Sequence, residues 1–247
     1  LITYLLSFEK IHKGQIDVKR FLIRRSFRIW PLFYLILLIV FLMPFELKEQ
    51  IGFHMIRGGY DLDWRYSFSF LENYKMLLED QFPKTTPLSV FWSLCVEEHF
   101  YILWVITFFF LPVKHLLKFL LASFFIAWTA RYMLPIVYPN QLINNNDLLS
   151  SLDYFASGGV LGYFAAKNYQ QLSQTILQIP LWLRYAFLLA VVIVILFTKE
   201  LLPNSPNYYF FIFRPTVLAL LFTLVIAILI PTNSSIKIKS RLLAYLG

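Results

Sequence analysis

Between residues 92 and 104 the chain reads Trp-Ser-Leu-Cys-Val-Glu-Glu-His-Phe-Tyr-Ile-Leu-Trp, two adjacent carboxylates and a histidine at the mouth of an intensely apolar run. A group that leaves water and keeps its charge needs a partner, so ionisable residues at membrane depth read as a working site. The same residues could also stand at a helix end among lipid headgroups. On a helix, Ser93, Glu97 and Tyr101 are four apart and share a face, while Glu98 points about 100° away. One carboxylate can then face the bundle and the other a loop or water, and a partly buried one can accept a proton or anchor sugar hydroxyls. Trp92, Tyr101 and Trp104 offer stacking surfaces for a sugar ring, or belong to the aromatic belt at the membrane edge. Ser93, Glu98 and His99 do not make a hydrolase triad, because helical spacing keeps their side chains apart and the glycines of a nucleophile elbow are missing.

A second chemical feature is the run Lys19-Arg-Phe-Leu-Ile-Arg-Arg-Ser-Phe-Arg-Ile-Trp-Pro31, which lies just before an apolar block. Arg25 and Arg28 are three apart and share a helical face. Guanidinium forks bind phosphate bidentately and stay charged at any relevant pH, so the pair suits a polyphosphate donor such as a nucleotide or coenzyme A. Alternatively, it anchors the helix to anionic headgroups.

The elements that must hold these residues are membrane helices. The chain is 59% hydrophobic and 19% aromatic, and its apolar residues fall in long blocks rather than alternating patterns. The reading is an all-α polytopic transmembrane helix bundle, one domain over residues 1–247, with about six full spans after a partial first one. The partial span ends near Phe8, and the full spans lie near 30–46, 92–113, 116–135, 152–166, 180–198 and 208–230. The connection 47–91 carries Gly58, Gly59, Pro83 and Pro87 and is expected to fold back as an interfacial or re-entrant element. Loops on one side, from Lys10 through the Lys19–Arg28 cluster, Lys114, Lys118, Lys167 and Arg184 to Arg241, hold 14 of the 22 basic residues and two of the 14 acidic ones. The opposite side holds the other eight bases and twelve acids, so the basic side is assigned to the cytoplasm. The net charge of +8 is a topology signal and not a nucleic-acid surface, because the bases are juxtamembrane and dispersed.

Smaller features follow from the same frame. Cys95, the single cysteine, rules out an internal disulfide and reads as a small buried hydrophobe. His12, His54 and His115 lack metal-ligand spacing and read as solvated. Gly158, Gly162 and Ala166 give one helix a smooth strip for close packing. Asp153, at the start of that helix, either caps it or is drawn into a central cavity. Pro31, Pro112, Pro135, Pro180 and Pro231 mark span ends, and Pro215 marks a kink inside a span.

These segments together resemble the acyltransferase 3 family, bacterial membrane O-acyltransferases that modify cell-surface polysaccharides. Arg25-Ser-Phe-Arg28 resembles its R-x-x-R motif, Trp92-Ser-Leu-Cys-Val-Glu-Glu-His-Phe-Tyr101 its W-S-L-x-x-E-E-x-F-Y signature, and Leu152-Asp-Tyr-Phe-Ala-Ser-Gly158 a third segment. The resemblance implies a multi-pass protein of the bacterial inner membrane. It implies acyl-CoA, acetyl-CoA in the simplest case, as cytoplasmic donor held by Arg25 and Arg28, with no metal. The acceptor would be a polysaccharide or lipid-linked saccharide at the outer side. Glu97 and Glu98 would orient the catalytic groups or the acceptor, with Trp92, Ser93, Tyr101 and Asp153 as substrate contacts. The family also uses a histidine in an R-x10-H motif of a first span, which would precede Leu1; His99 stands where the family often has glutamine and is not given that role. Both termini are expected to be incomplete, and these 247 residues alone are expected to be catalytically silent. The competing reading is a polysaccharide or lipid transporter or flippase without acyl transfer, but the internal repeat expected of many transporters is not evident in the sequence.

Overall fold

The structure, a computed structural model, describes residues 1–52, 59–138, 146–197 and 208–231. His54, Gly58 and the basic residues from Lys237 to Arg241 lie outside them. Helix α1 covers Ile2–Lys13 and α2 Val18–Leu42; short helices α3 (Phe45–Gln50), α4 (Trp64–Phe68) and α5 (Glu72–Glu79) and a 3-10 turn (Thr86–Val90) follow. Then come α6 (Phe91–Phe110), α7 (Val113–Val137), α8 (Leu152–Gln178), α9 (Leu181–Leu196) and α10 (Tyr208–Leu229). The fold is an all-α polytopic bundle, and among the described residues there is no strand.

Four segments are long and apolar enough to cross a membrane singly: Val18–Leu42, Leu88–Phe110, Val113–Val137 and Ile212–Leu229. The regions 152–166 and 180–198, expected as two spans, instead form one bent pair, α8 and α9, at 90°. Among the described residues that gives up to five spans, against the about six expected. The cause is local. Asn168 leaves helical geometry (φ −158°, ψ 88°), and its side chain accepts from Gln171 N at 3.0 Å, capping a fresh polar stretch that runs to Gln178. Pro180 then sets the start of α9, whose 16 residues reach only about 24 Å at 1.5 Å per residue.

A second difference concerns α2. The apolar block near 30–46 is only the far half of a helix that starts at Val18, so Lys19 to Arg28 lie inside it rather than before it. Gly14 (φ +75°) ends α1 in the left-handed region, and Asp17 Oδ1 accepts from Arg20 N at 2.9 Å to start α2. Pro31 and Pro135, read as span ends, sit inside α2 and α7. Pro215 lies inside α10 as expected.

The turns α1–α2 and α6–α7 and the far part of α8 meet at one end. Lys10 Nζ donates to the Phe108 carbonyl and, at 2.9 Å, to that of Phe109, neutralising the C-terminus of α6. His12 is exposed, as expected, with Nε2 3.2 Å from the Ala166 carbonyl. Thus α1, α6 and α8 run in the same direction, with α2 and α7 opposed. Phe100, Trp104, Phe108, Leu116, Leu120 and Tyr163 form the main core, and Trp104 Nε1 donates to Thr3 Oγ1 at 2.9 Å. Trp104 is fully buried, which removes it from both the sugar-stacking and the belt readings.

Helix α1 lies tightly on α8. A β-carbon at Gly162 would come within 2.9 Å of Tyr4 N, and one at Gly159 within 2.9 Å of Leu120 Cδ2, whereas at Gly158 nothing lies within 4 Å. The small-residue strip is therefore Gly159, Gly162 and Ala166, with Gly158 open. Gly162→Val is expected to destabilise the protein by about 1–3 kcal/mol through overpacking, while Gly158→Val stays within experimental error of wild type. Thermal unfolding in detergent compares the two; equal midpoints would contradict the packing.

Residues 59–90 fold back onto the opposite end. Tyr60 N donates to Phe82 O at 3.2 Å and Lys84 N to Tyr60 O at 3.1 Å. Buried Glu72 accepts from the Tyr60 hydroxyl at 2.5 Å and from Ser67 Oγ at 2.6 Å. Burial and that hydrogen bond push the Tyr60 phenol far up. Phe70 carries this cap onto α2 and α6, stacking on Phe33 (4.2 Å), which also meets Phe91 (4.9 Å). Cys95 is free and buried within this cluster, as a small hydrophobe would be.

Candidate functional site

Because α2 begins at Val18, Arg20, Arg24 and Arg28 follow one another at four-residue spacing along a stripe, with Arg25 beside it. All four line a cleft of about 370 Å³ between α2 and α1, together with Leu5, Phe8 and Phe21. Its acids are already engaged: Asp17 caps α2, and Glu9 lies 3.4 Å from Lys13. No carboxylate among the described residues lies within ion-pair distance of any of the four guanidinium groups. With Lys13 the cleft gathers five cations against the two acids Glu9 and Asp17, a net positive surface that can receive an anion, and the apolar wall contributed by α1 suits the organic part of such an anion.

The Arg25 guanidinium lies 5.6 Å from the centre of the Tyr101 ring, and the Tyr101 hydroxyl donates to Glu97 Oε2 at 3.1 Å. The arginine cleft and the carboxylate pair, read from the sequence as features of opposite faces, are thus linked through a single aromatic ring. This follows from α2 extending past the basic end and from α6 running antiparallel to it, which brings residue 25 level with residue 101.

Glu98 faces away, as the 100° offset requires. It is buried, and its Oε1 has no hydrogen-bond partner among the described residues. His99 turns to a third side and packs on Tyr74 of α5, with ring centres 5.4 Å apart. Ser93 donates to the Val90 carbonyl at 2.8 Å. Ser93, Glu98 and His99 therefore diverge, in agreement with the absence of a triad. Trp92 is half-buried at the start of α6, and Tyr101 is buried, so its ring serves Arg25 and Glu97 rather than lying open.

Asp153 neither caps α8 nor opens to a cavity. It is fully buried in a fork with Arg131 of α7: Nη2 to Oδ1 at 2.6 Å and Nη1 to Oδ2 at 2.8 Å. Thr216 of α10 donates its hydroxyl to Asp153, the Trp128 indole donates to Thr216 at 2.9 Å, and Arg131 Nη1 also reaches Ile212 O at 2.9 Å. Three helices are tied at one buried ion pair, distant in the sequence from Glu97 and Arg25. Reading by motif and loop charge missed Arg131. Its signal was a lone arginine inside the apolar run 116–135, followed by an aspartate at the head of the next run.

No protein-family model matches the chain, and no solved structure matches it. Among characterised proteins, the chain is 30% identical over 109 residues to the peptidoglycan O-acetyltransferase OatA of Listeria monocytogenes, a match covering 42% of this chain and 17% of that protein. It is 32% identical over 112 residues to YrhL of Bacillus subtilis, described as a candidate peptidoglycan O-acetyltransferase, covering 42% of this chain and 16% of that one. The matched stretch spans less than a fifth of the length of either relative.

Proposed function

We propose that the protein is a membrane O-acyltransferase of the acyltransferase 3 type, placed in the bacterial inner membrane with its basic end in the cytoplasm. The donor is acyl-CoA, acetyl-CoA in the simplest case, and the acceptor is a hydroxyl of a cell-wall polysaccharide or lipid-linked saccharide on the far side. The observation that carries this reading is the cleft of Arg20, Arg24, Arg25 and Arg28, free of carboxylate partners and joined to Glu97 through Tyr101. The names of the two relatives support an acetyl group and a peptidoglycan-like acceptor.

In this reading the guanidinium groups grip the donor's phosphates, and Arg25, closest to Tyr101, holds the end nearer the thioester. The acceptor oxygen attacks the thioester carbonyl, forming the C–O bond as the C–S bond breaks. The hydroxyl proton passes to a base and ends on the departing thiolate. Glu97 keeps one oxygen on Tyr101 and has the other for the acceptor hydroxyl or for the base; Glu98, buried beside it in the sequence, supports the same region. Trp92 stays a candidate contact for the acceptor. Asp153 is given a structural role here.

The experiment is Arg25→Ala combined with Arg28→Ala in full-length protein in nanodiscs, read by equilibrium binding of labelled acetyl-CoA. Loss of two charge-assisted phosphate contacts is expected to weaken binding by roughly a hundredfold or more. Unchanged binding in a properly inserted variant would overturn the donor site. Saccharide counterflow in vesicles without thiol release would favour transport instead.

A further inference from the structure

The arginine cleft does not end at Arg20. A second cleft of about 430 Å³, lined by Glu9, Lys13, Gln15, Ile16, Asp17 and Arg20, continues from it at the α1–α2 turn, and Glu9, Lys13, Asp17 and Arg20 line both. The first places Leu5, Leu6, Phe8 and Phe21 among its cations, whereas the second adds only Gln15 and Ile16 to the four shared residues. The shared acids are held: Asp17 Oδ1 accepts from Arg20 N at 2.9 Å, and Glu9 lies 3.4 Å from Lys13. Arg20, at the junction, has no carboxylate within ion-pair distance among the described residues.

The spacing of the cations narrows the ligand. Along α2, about 6 Å of helix separates Arg20 from Arg24 and the same again separates Arg24 from Arg28, with Arg25 beside them. The two phosphates of a pyrophosphate share one bridging oxygen, so Arg24, Arg25 and Arg28 suffice to hold them, and Arg20 stands a full turn away. A stripe extended in this way fits a ligand whose further phosphate is set off from the pyrophosphate by the width of a sugar. Charge agrees with this. The first cleft has three more cations than acids (five less two), and a pyrophosphate diester brings two negative charges. A phosphate monoester on the same ligand brings about two more. Past Arg20, the second cleft offers hydrogen-bonding groups for a base and a ribose: the Gln15 amide, which both donates and accepts, and the carboxylate oxygens of Glu9 and Asp17.

We propose that the second cleft is a nucleoside subsite, with Arg20 at its junction holding a phosphate carried on the ribose. The donor is then selected as a ribose-phosphorylated nucleotide thioester, and a pantetheine thioester without the nucleotide is a poor substitute. This subsite rests on the acyl-CoA reading of the first cleft and adds where the nucleotide lies and which side chain selects it.

The test compares acetyl-CoA with acetyl-dephospho-CoA, which lacks the phosphate on the ribose, each titrated into full-length protein in nanodiscs. The wild type is expected to bind acetyl-CoA about tenfold or more tightly, the worth of one charge-assisted contact. Arg20→Ala is expected to weaken acetyl-CoA by about that factor and to leave the dephospho form within about twofold of wild type, because the group that Arg20 holds is missing there. Gln15→Ala is expected to weaken both nucleotides alike and to leave acetyl-phosphopantetheine, which has no nucleoside, unchanged.

A wild type that binds both nucleotides equally, or an Arg20→Ala variant that weakens both equally, makes Arg20 part of the general field of the cleft; the subsite is then wrong and the donor reading stands. Nucleotide affinities that do not move in Gln15→Ala would remove the nucleoside from the second cleft, again with the donor reading intact. A wild type that binds neither nucleotide overturns the donor reading and the subsite together.

Discussion

Arg131→Met alone, or Asp153→Leu alone, is expected to leave little correctly folded protein in the membrane, while the two changes together restore most of it. Both side chains are fully buried, and their fork is reinforced by Thr216, Trp128 and the Ile212 carbonyl. Removing one partner strands the other charge, fully buried, without its bidentate partner, a loss of about 3–5 kcal/mol. That is comparable with the whole stability of many domains. Replacing both removes the charges together, and apolar pairs of similar volume are often neutral in such places. Fluorescence-detected size exclusion and thermal unfolding of the three variants make the comparison. A double variant no better than the worse single one would contradict a pairing whose cost lies in the stranded charge. Arg131 also faces the Tyr154 ring at 5.5 Å, so Tyr154→Leu should give a smaller loss in the same direction.

The second large effect concerns turnover. Glu97→Gln is expected to lower the rate of acetyl transfer by about 10²–10⁴, the range for removal of a positioned proton-transfer group, while acetyl-CoA affinity stays within about twofold. Glutamine keeps the size and can still accept from the Tyr101 hydroxyl, now 3.1 Å from Glu97, so the local packing survives. What disappears is the negative charge that orients the acceptor or the base. Tyr101→Phe tests the link from the other side: it frees Glu97 from its donor and leaves the ring under Arg25, and a rate loss of about tenfold is expected from one hydrogen bond. Separate determination of kcat and the donor Kd settles the assignment. A Glu97→Gln protein that turns over at the wild-type rate, or one that loses the donor instead, contradicts it.

Much of the helical frame was legible because apolar runs in a membrane protein record burial in lipid and bundle alike. The runs 92–113 and 116–135 correspond to α6 and α7 within a few residues. The start of α2 was not read correctly, since five basic residues hide its first turns from any apolar pattern, although Gly14 and Asp17 mark the turn by their own chemistry. The break at Asn168 was missed for the opposite reason: the apolar run stops near 166, but the helix continues in polar residues before turning. Within the site, the shared face of Glu97 and Tyr101 follows from helical spacing, and the structure shows their hydrogen bond. The meeting of Arg25 with Tyr101 and of Arg131 with Asp153 depends on how separate helices are staggered, which spacing along one helix does not encode. Gly158 and Gly159 make the same point on a smaller scale. Either could have faced α1, and the rotation of α8 chooses Gly159.

The most direct test of the account follows the acyl group itself. Full-length protein is placed in vesicles with labelled acetyl-CoA on the side of the arginine cleft and a cell-wall saccharide on the other, and the acetyl ester and the released thiol are both counted. The account predicts one ester on the saccharide for each thiol released, with both lost when Arg25 and Arg28 are changed to alanine. Saccharide that crosses the membrane unlabelled while no thiol appears would contradict it.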